Sequence, residues 1–263
     1  MQPSSAAHSA AEIPGNYRVG SVPYLNARPL IEGIGGHLTF LVPSELANFF
    51  MTGGLDAALL PVYEALSHAR ALIVDDVAIA CRGEVFSVFL AHREPIEKLD
   101  SIALDPASHT SNRLLQCLFA EFHELDPEYV SAPQDDTQAR LLIGDAALQF
   151  RELHSDWRFL DLGADWMRWT GLPFVFACWV LREDVANPAA LADALRSIKA
   201  HGLAARPAIA AEFLDAKFVE RYLTEFIRYD LRDDEKQAIA LFAMLLRKHG
   251  LVAMSAESEI RYV

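Results

Sequence analysis

Asn26, Ser87 and the run Ser108-His109-Thr110-Ser111 are the residues whose types and neighbours could do chemistry in this 263-residue chain. Asn26 lies in Arg18-Val-Gly-Ser-Val-Pro-Tyr-Leu-Asn-Ala-Arg-Pro-Leu30, which passes from a short strand through a polar turn into a helix start. Such junctions present unpaired backbone N–H groups, and in α/β proteins they bind small anions. Asn26 is expected as the N-cap, with Pro29 tolerated in the first turn; the alternative is a well-capped structural helix. Ser108, Thr110 and Ser111 put three hydroxyls at the start of a second helix, where they and the helix dipole form a carboxylate receptor that needs no lysine. Plain capping by one hydroxyl is the competing reading. Ser87 interrupts the apolar strand Val85-Phe-Ser-Val-Phe-Leu90, facing either solvent or a ligand. Asp145 reads as a turn or helix cap at a cleft edge. His109 has no orienting carboxylate within its motif.

The elements that must position these groups alternate between strand and helix. After the first strand and helix come a strand His37 to Val42, a helix opened by Ser44 and closed by Gly53-Gly54, and a buried strand Ala57 to Leu60, a βαβαβ pattern with a parallel sheet. Ala71 to Val74, Val77 to Cys81 and Val85 to Ala91 follow as strands in quick succession, where a crossing between lobes is expected. A second α/β run starts at Ser101: a strand Ile102 to Leu104, a helix Thr110 to Phe122, a short strand near Tyr129, a helix Thr137 to Leu142 and a strand Ala146 to Phe150. The apolar segment Phe174 to Leu181 returns to the first lobe, and the remainder is helical, with helices from Asn187-Pro188 to about His201 and from Asp233 to Lys248. The expected division is a lead over 1–17, a first lobe over 18–92 plus 180–263, and a second lobe over 93–179, with a ligand between the lobes.

Composition sets outer bounds. The chain is 52% hydrophobic, enough for a sizeable core. A formal charge of -13 without any basic cluster argues against nucleic acid as a partner. The same charge means that an anionic ligand must be held by local donors. Cys81, Cys117 and Cys178 are odd in number, widely spaced and set among apolar neighbours, as suits a reducing cytosol better than a disulfide framework. The first 17 residues lack a basic n-region and a continuous apolar core, so they read as a disordered Ser/Ala-rich lead rather than a secretory signal. The longest apolar stretch, Leu172 to Leu181, falls far short of the roughly 18 residues of a membrane span. There is no HExxH, CxxC, Walker or GxGxxG motif and no His/Asp cluster with metal-ligand spacing.

The string GSVPYLNARPL resembles the N-terminal signature of the chorismate dehydratases of the futalosine route to menaquinone. Gly83-Glu-Val-Phe-Ser87, Ile143-Gly-Asp-Ala-Ala-Leu148, Asp161-Leu-Gly163 with Trp166, and Thr170-Gly-Leu-Pro-Phe-Val-Phe-Ala177 follow in the family's order. The resemblance implies a two-lobed α/β fold of the type II periplasmic-binding-protein kind with the ligand cleft between lobes. It implies a cytoplasmic hydro-lyase, without cofactor or metal, that converts chorismate to 3-[(1-carboxyvinyl)oxy]benzoate and water. In that reading Asn26 and Ser87 act at the reacting centre, and Tyr24, Ser108, Thr110, Ser111, Asp145, Thr170, Gly171 and Leu172 bind substrate. Trp166 and Trp169 read as packing residues. The match is loose at Leu60-Pro-Val-Tyr-Glu64, and Arg82 is not expected before Gly83. The other readings are a cytosolic small-carboxylate binding protein on the same fold and the sister 1,4-dihydroxy-6-naphthoate synthase.

Overall fold

The computed structural model describes residues 13, 17–34, 38–67, 72–133, 137–252 and 260–263. The lead, apart from Ile13 and Tyr17, lies outside the described residues, as do His37, His68 and Ala71. The chain begins with β1 (Val19–Ser21), a 3₁₀ helix Leu25–Leu30, β2 (Leu38–Phe40), α1 (Pro43–Met51) and β3 (Ala57–Pro61). β1 pairs in parallel with β2 on one side and β3 on the other, which is the expected βαβαβ unit. Two helix starts differ from expectation. Tyr24, in an extended conformation, precedes the 3₁₀ helix, so Asn26 lies inside the turn rather than capping it. Pro43 takes the first position of α1 and Val42 precedes it, so Ser44 does not open that helix; proline suits this position because its missing N–H would have no partner there.

After α2 (Val62–Ser67) comes β4 (Leu72–Cys81), a single strand where two were expected. It carries an irregularity at Asp76, whose φ of 61° is left-handed. The chain then crosses over residues 82–87 to β5 (Val88–His92), which already belongs to a second sheet. The first sheet therefore releases the chain after Cys81 rather than at residue 92. The second unit runs β6 (Ser101–Ala103), α3 (His109–Leu118) continued by a π-helical turn Phe119–His123, β7 (Glu128–Val130), β8 (Ala139–Ile143), α4 (Gly144–Leu153), β9 (Arg158–Asp161) and α5 (Leu162–Thr170).

Here the structure inverts two expected elements. Residues 139–143 are strand and 144–153 helix, the reverse of the sequence reading. β8 is hydrogen-bonded on both sides, antiparallel to β5 and parallel to β6, and this sheet pairing overrides the helix-forming tendency of Ala-Arg-Leu-Leu. Gly144, at φ 59°, makes the strand-to-helix turn. Ala147 and Phe150, three apart on one face of α4, pack on Phe89 and Ala91.

β10 (Phe174–Leu181) returns in full to the first sheet, antiparallel between β3 and β4. Then follow α6 (Pro188–Ala204), opened by Asn187 whose side chain accepts from Ala190 N–H, α7 (Arg206–Ala210), α8 (Ala216–Arg221), a π-helical turn Tyr222–Phe226, and α9 (Asp233–Lys248). The end of the chain is not helical throughout: β11 (Arg261–Tyr262) adds to β4 in parallel. Among the described residues the sheet orders are β11-β4-β10-β3-β1-β2 and β7-β6-β8-β5-β9.

The core is continuous across both units and includes the fully buried Trp166 and Trp179. Cys81, Cys117 and Cys178 are free and buried, and burial pushes the thiols of Cys117 and Cys178 up to about 12. No helix among the described residues is long and apolar enough to cross a membrane.

Candidate active site

A cleft lies where the two sheet units meet. Tyr24 and Asn26 line it from the 3₁₀ turn, Pro61 and Phe176 from β3 and β10, Val85 from the crossing, Val88 from β5, Ser108, Thr110 and Ser111 from the start of α3, and Gly144 from α4. Among the described residues lining it, Tyr24 is the one titratable side chain. Burial, together with the charges of Asp105 and Asp145, raises the Tyr24 hydroxyl above its ordinary value and keeps it neutral.

The start of α3 combines capping with free donors. The Ser108 hydroxyl accepts the Ser111 N–H at 3.1 Å and donates to the Ser111 hydroxyl at 2.9 Å, so it is a true N-cap. Thr110 Oγ1 accepts the backbone N–H of Tyr63 at 3.0 Å, a direct bond from α2 of the first unit to α3 of the second. The hydroxyl protons of Thr110 and Ser111 remain available, as do the first N–H groups of the helix, which have no intrahelical acceptor. Dipoles arranged in this way can hold an anion without a basic side chain.

His109, which precedes Thr110, turns away from the lining and meets Glu64 of α2, with Nδ1 2.5 Å from Oε1. The orienting carboxylate that its own motif lacks comes from the other unit, 45 positions away.

Ser87 is not within a strand. It ends the crossing, in a three-residue turn closed by its N–H on the Val85 carbonyl at 2.8 Å. Phe86 at the centre has φ 67°, the strained conformation of a γ-turn. Several contacts hold that strain. The Asp161 carboxylate accepts the N–H of Phe86 at 2.7 Å and of Val85 at 3.1 Å. The Phe86 ring packs between Phe226, Phe218 and the Arg151 guanidinium at centroid distances of 5.0, 5.5 and 4.0 Å. Burial raises the Asp161 carboxyl above its ordinary value while these N–H bonds oppose the rise. Gly163 lets α5 approach: a Cβ there would stand 2.6 Å from the Gly83 carbonyl oxygen. The fully buried Ser87 hydroxyl lies 2.7 Å from Tyr222 Oη rather than on the cavity wall.

Asp145, now in the first turn of α4, accepts the Leu25 N–H at 3.5 Å from across the cleft. Thr170, Gly171 and Leu172 do not line the cavity; they form the stop of α5. The Thr170 hydroxyl donates to Trp166 O at 2.8 Å and accepts from Leu172 N–H at 3.1 Å, and Gly171 is left-handed at φ 69°. Trp166 is fully buried with its indole N–H on Pro173 O, whereas Trp169 is exposed and stacks on Phe122.

Tyr222, in the π-helical turn after α8, and Tyr229, in the non-helical stretch before α9, carry no signal in the local sequence that points to the site. Tyr229 Oη donates to the Asn26 carbonyl at 3.1 Å. Among the described residues, no group of three or more His, Cys, Asp or Glu side chains is arranged to hold a metal ion.

A family model described as menaquinone biosynthesis matches residues 17–248. A chorismate dehydratase of Thermus thermophilus is 29% identical over 262 residues, covering 88% of this chain and 95% of that protein. One from Campylobacter jejuni is 29% identical over 223 residues, covering 83% and 88%. Among solved structures, protein AF1704 of Archaeoglobus fulgidus superposes with a TM-score of 0.72 at 17% identity, over 93% of this chain and all of that one. The periplasmic aliphatic sulphonate binding protein SsuA of Escherichia coli gives 0.63 at 14% identity, over 92% and 94%. The architecture is thus of the periplasmic-binding-protein kind.

Proposed function

The chain belongs to the menaquinone biosynthesis family, and from that premise we propose that it is a chorismate dehydratase, converting chorismate to 3-[(1-carboxyvinyl)oxy]benzoate and water. The observation that carries this reading is a cleft between two units that pairs the Asn26 turn with the hydroxyl-bearing start of α3 and has neither lysine, histidine nor carboxylate among its described lining residues. Such a wall suits an uncharged elimination site. The named relatives, alike over nearly their whole length, support the same substrate.

In this reaction the C3 proton and the C4 hydroxyl leave chorismate as water, and aromatisation drives the step. One substrate carboxylate rests on the N-terminus of α3, held by Thr110, Ser111 and the backbone N–H groups that Ser108 leaves free. Asn26 faces the reacting hydroxyl. Tyr24 closes the pocket as a neutral wall, and Asp145 holds the Asn26 turn through Leu25. With no base among the described lining residues, the enolpyruvyl carboxylate of the substrate takes the C3 proton while the cleft fixes its conformation. The three free thiols suit a cytoplasmic enzyme.

Purified protein incubated with chorismate, followed by mass and by ultraviolet absorption, should yield the aromatic enolpyruvyl ether. Chorismate returned unchanged, apart from its spontaneous rearrangement products, would overturn the assignment. If it were nevertheless retained with micromolar affinity, the protein would be a carboxylate-binding module on the same fold.

A further inference from the structure

The start of α3 lines the cleft and is nevertheless closed to solvent: Ser108, Thr110 and Ser111 are 6%, 2% and 3% exposed. At that exposure a carboxylate from solvent does not reach them while the two units stay in contact. The chain passes between the units at residues 82–87 and 171–173, whereas α2 of the first unit and α3 of the second meet without a covalent link. In that seam the Tyr63 N–H, in the first turn of α2 and so without an intrahelical acceptor, donates to Thr110 Oγ1 at 3.0 Å. Beside it Glu64 Oε1 lies 2.5 Å from His109 Nδ1. The Tyr63 ring stands edge-on to the His109 ring at 6.0 Å and has the Arg113 guanidinium at 5.7 Å, so two residues one turn apart on α3 flank it. Its hydroxyl donates to the Leu251 carbonyl at 3.3 Å, which anchors the tyrosine in the first unit. The His109 and Glu64 side chains are 52% and 20% exposed, so their bond competes with water and breaks readily, while Thr110 behind it is buried.

We propose that Glu64 and His109 form a latch on the seam between α2 and α3, and that the cleft opens along this seam to admit and release its ligand. The latch is not part of the cleft lining. Its bond is the same whether the closed cleft is empty or filled, so it sets how often the cleft opens and not how tightly the ligand is held. This inference rests on the reading of the α3 start as the carboxylate receptor. The assignment of chorismate as substrate enters only through the choice of ligand for one of the two measurements below.

The seam carries its own reporter, because the Tyr63 amide is protected from hydrogen exchange by a hydroxyl of the other unit. In 15N-labelled protein without ligand, Glu64→Ala and His109→Ala should each speed exchange at Tyr63 by about two- to fivefold, the scale of a surface pair. Amides of β4 and β10 should exchange as in the wild type, which shows that the fold is intact. The double variant should be no faster than the faster single one, since each change removes the same bond. Unchanged exchange at Tyr63 in both single variants, or accelerations that multiply in the double, overturns the latch. The second measurement is stopped-flow binding of the product 3-[(1-carboxyvinyl)oxy]benzoate. In Glu64→Ala the association and dissociation rate constants should both rise by about two- to fivefold, with Kd changed by less than about twofold. Damage to the receptor itself would speed dissociation alone and raise Kd, and that result also overturns the proposal. A protein that binds no product while exchange at Tyr63 accelerates as expected counts against the chorismate assignment and supports the latch.

Discussion

Gly202 of α6 lies so close to Pro29 that a Cβ on it would stand 1.9 Å from the Pro29 carbonyl oxygen and 2.7 Å from the carbonyl carbon. The opposing atoms are backbone, so no side chain can swing aside. This contact seats the 3₁₀ turn that carries Asn26 against the C-terminal part of α6, and it couples a helix remote from the cavity to the geometry of the site.

Gly202→Ala should therefore lower stability by about 1–3 kcal/mol, the usual scale of overpacking, although alanine is intrinsically the better helix residue by about 1 kcal/mol. Turnover should fall further than the folded fraction does, because the turn and Asn26 move with Pro29. Denaturation midpoints and kcat measured on the same preparation check both. A variant as stable and as active as wild type would show that α6 and the turn separate without consequence.

Asn26→Leu removes the amide and both of its hydrogen-bonding functions. Turnover of chorismate should fall by about two orders of magnitude or more, in line with losing a preorganised group that meets the reacting atoms. Far-ultraviolet circular dichroism should stay unchanged, because the turn is held through the Asn26 carbonyl and Tyr229 rather than through the amide. Wild-type turnover in the folded variant would remove Asn26 from the mechanism.

Replacing Ser108 and Ser111 together by alanine should weaken substrate binding by roughly one to three kcal/mol, read as a rise in KM larger than the fall in kcat. Because Ser108 is also the cap of α3, the variant should in addition lose about 1 kcal/mol of stability. Steady-state kinetics beside a denaturation curve separates the two losses. A collapsed kcat at unchanged KM would move these residues to the reacting centre.

Lys199 is buried on α6 and pairs with Asp230 at 2.8 Å. Burial would raise the Asp230 carboxyl, but the hydrogen bond and charge of Lys199, aided by Arg232 and Arg228, hold it below its ordinary 3.8. A carboxylate whose value is depressed on folding stabilises the fold above its unfolded value, and that contribution is lost as pH falls through the folded value. Asp230→Asn should thus lower the urea midpoint at pH 7, and the gap from wild type should close as the pH drops below about 3.8. A gap that persists unchanged in acid would mean that charge is not what the pair contributes.

The alternation of elements, the parallel βαβαβ start, a crossing within residues 71–92 and the return strand Phe174–Leu181 were legible because each rests on local periodicity and punctuation. So was the hydroxyl cluster at α3. The reading failed where pairing in the sheet decides the outcome. Nothing in Thr137–Phe150 taken alone tells strand from helix when Ala and Leu suit both; β8 is a strand because β5 and β6 hydrogen-bond it from both sides. Asn26 was recognised, but as a cap, since its contact with Tyr229 spans most of the chain.

By itself, then, the sequence determined which residue types could act and the order of the elements that carry them, because hydrophobic period, capping and turn chemistry are properties of neighbours along the chain. Tertiary structure alone decided which of them meet. It removed Thr170, Gly171 and Leu172 to a helix stop, supplied Glu64 to His109, and gave Thr110 to the Tyr63 backbone. It also set Tyr222 against Ser87 and Tyr229 against the Asn26 carbonyl. The physical reason is that a hydrogen bond depends on a separation of about 3 Å in space, and residues tens to hundreds of positions apart are brought to that distance only by the packing of one element on another.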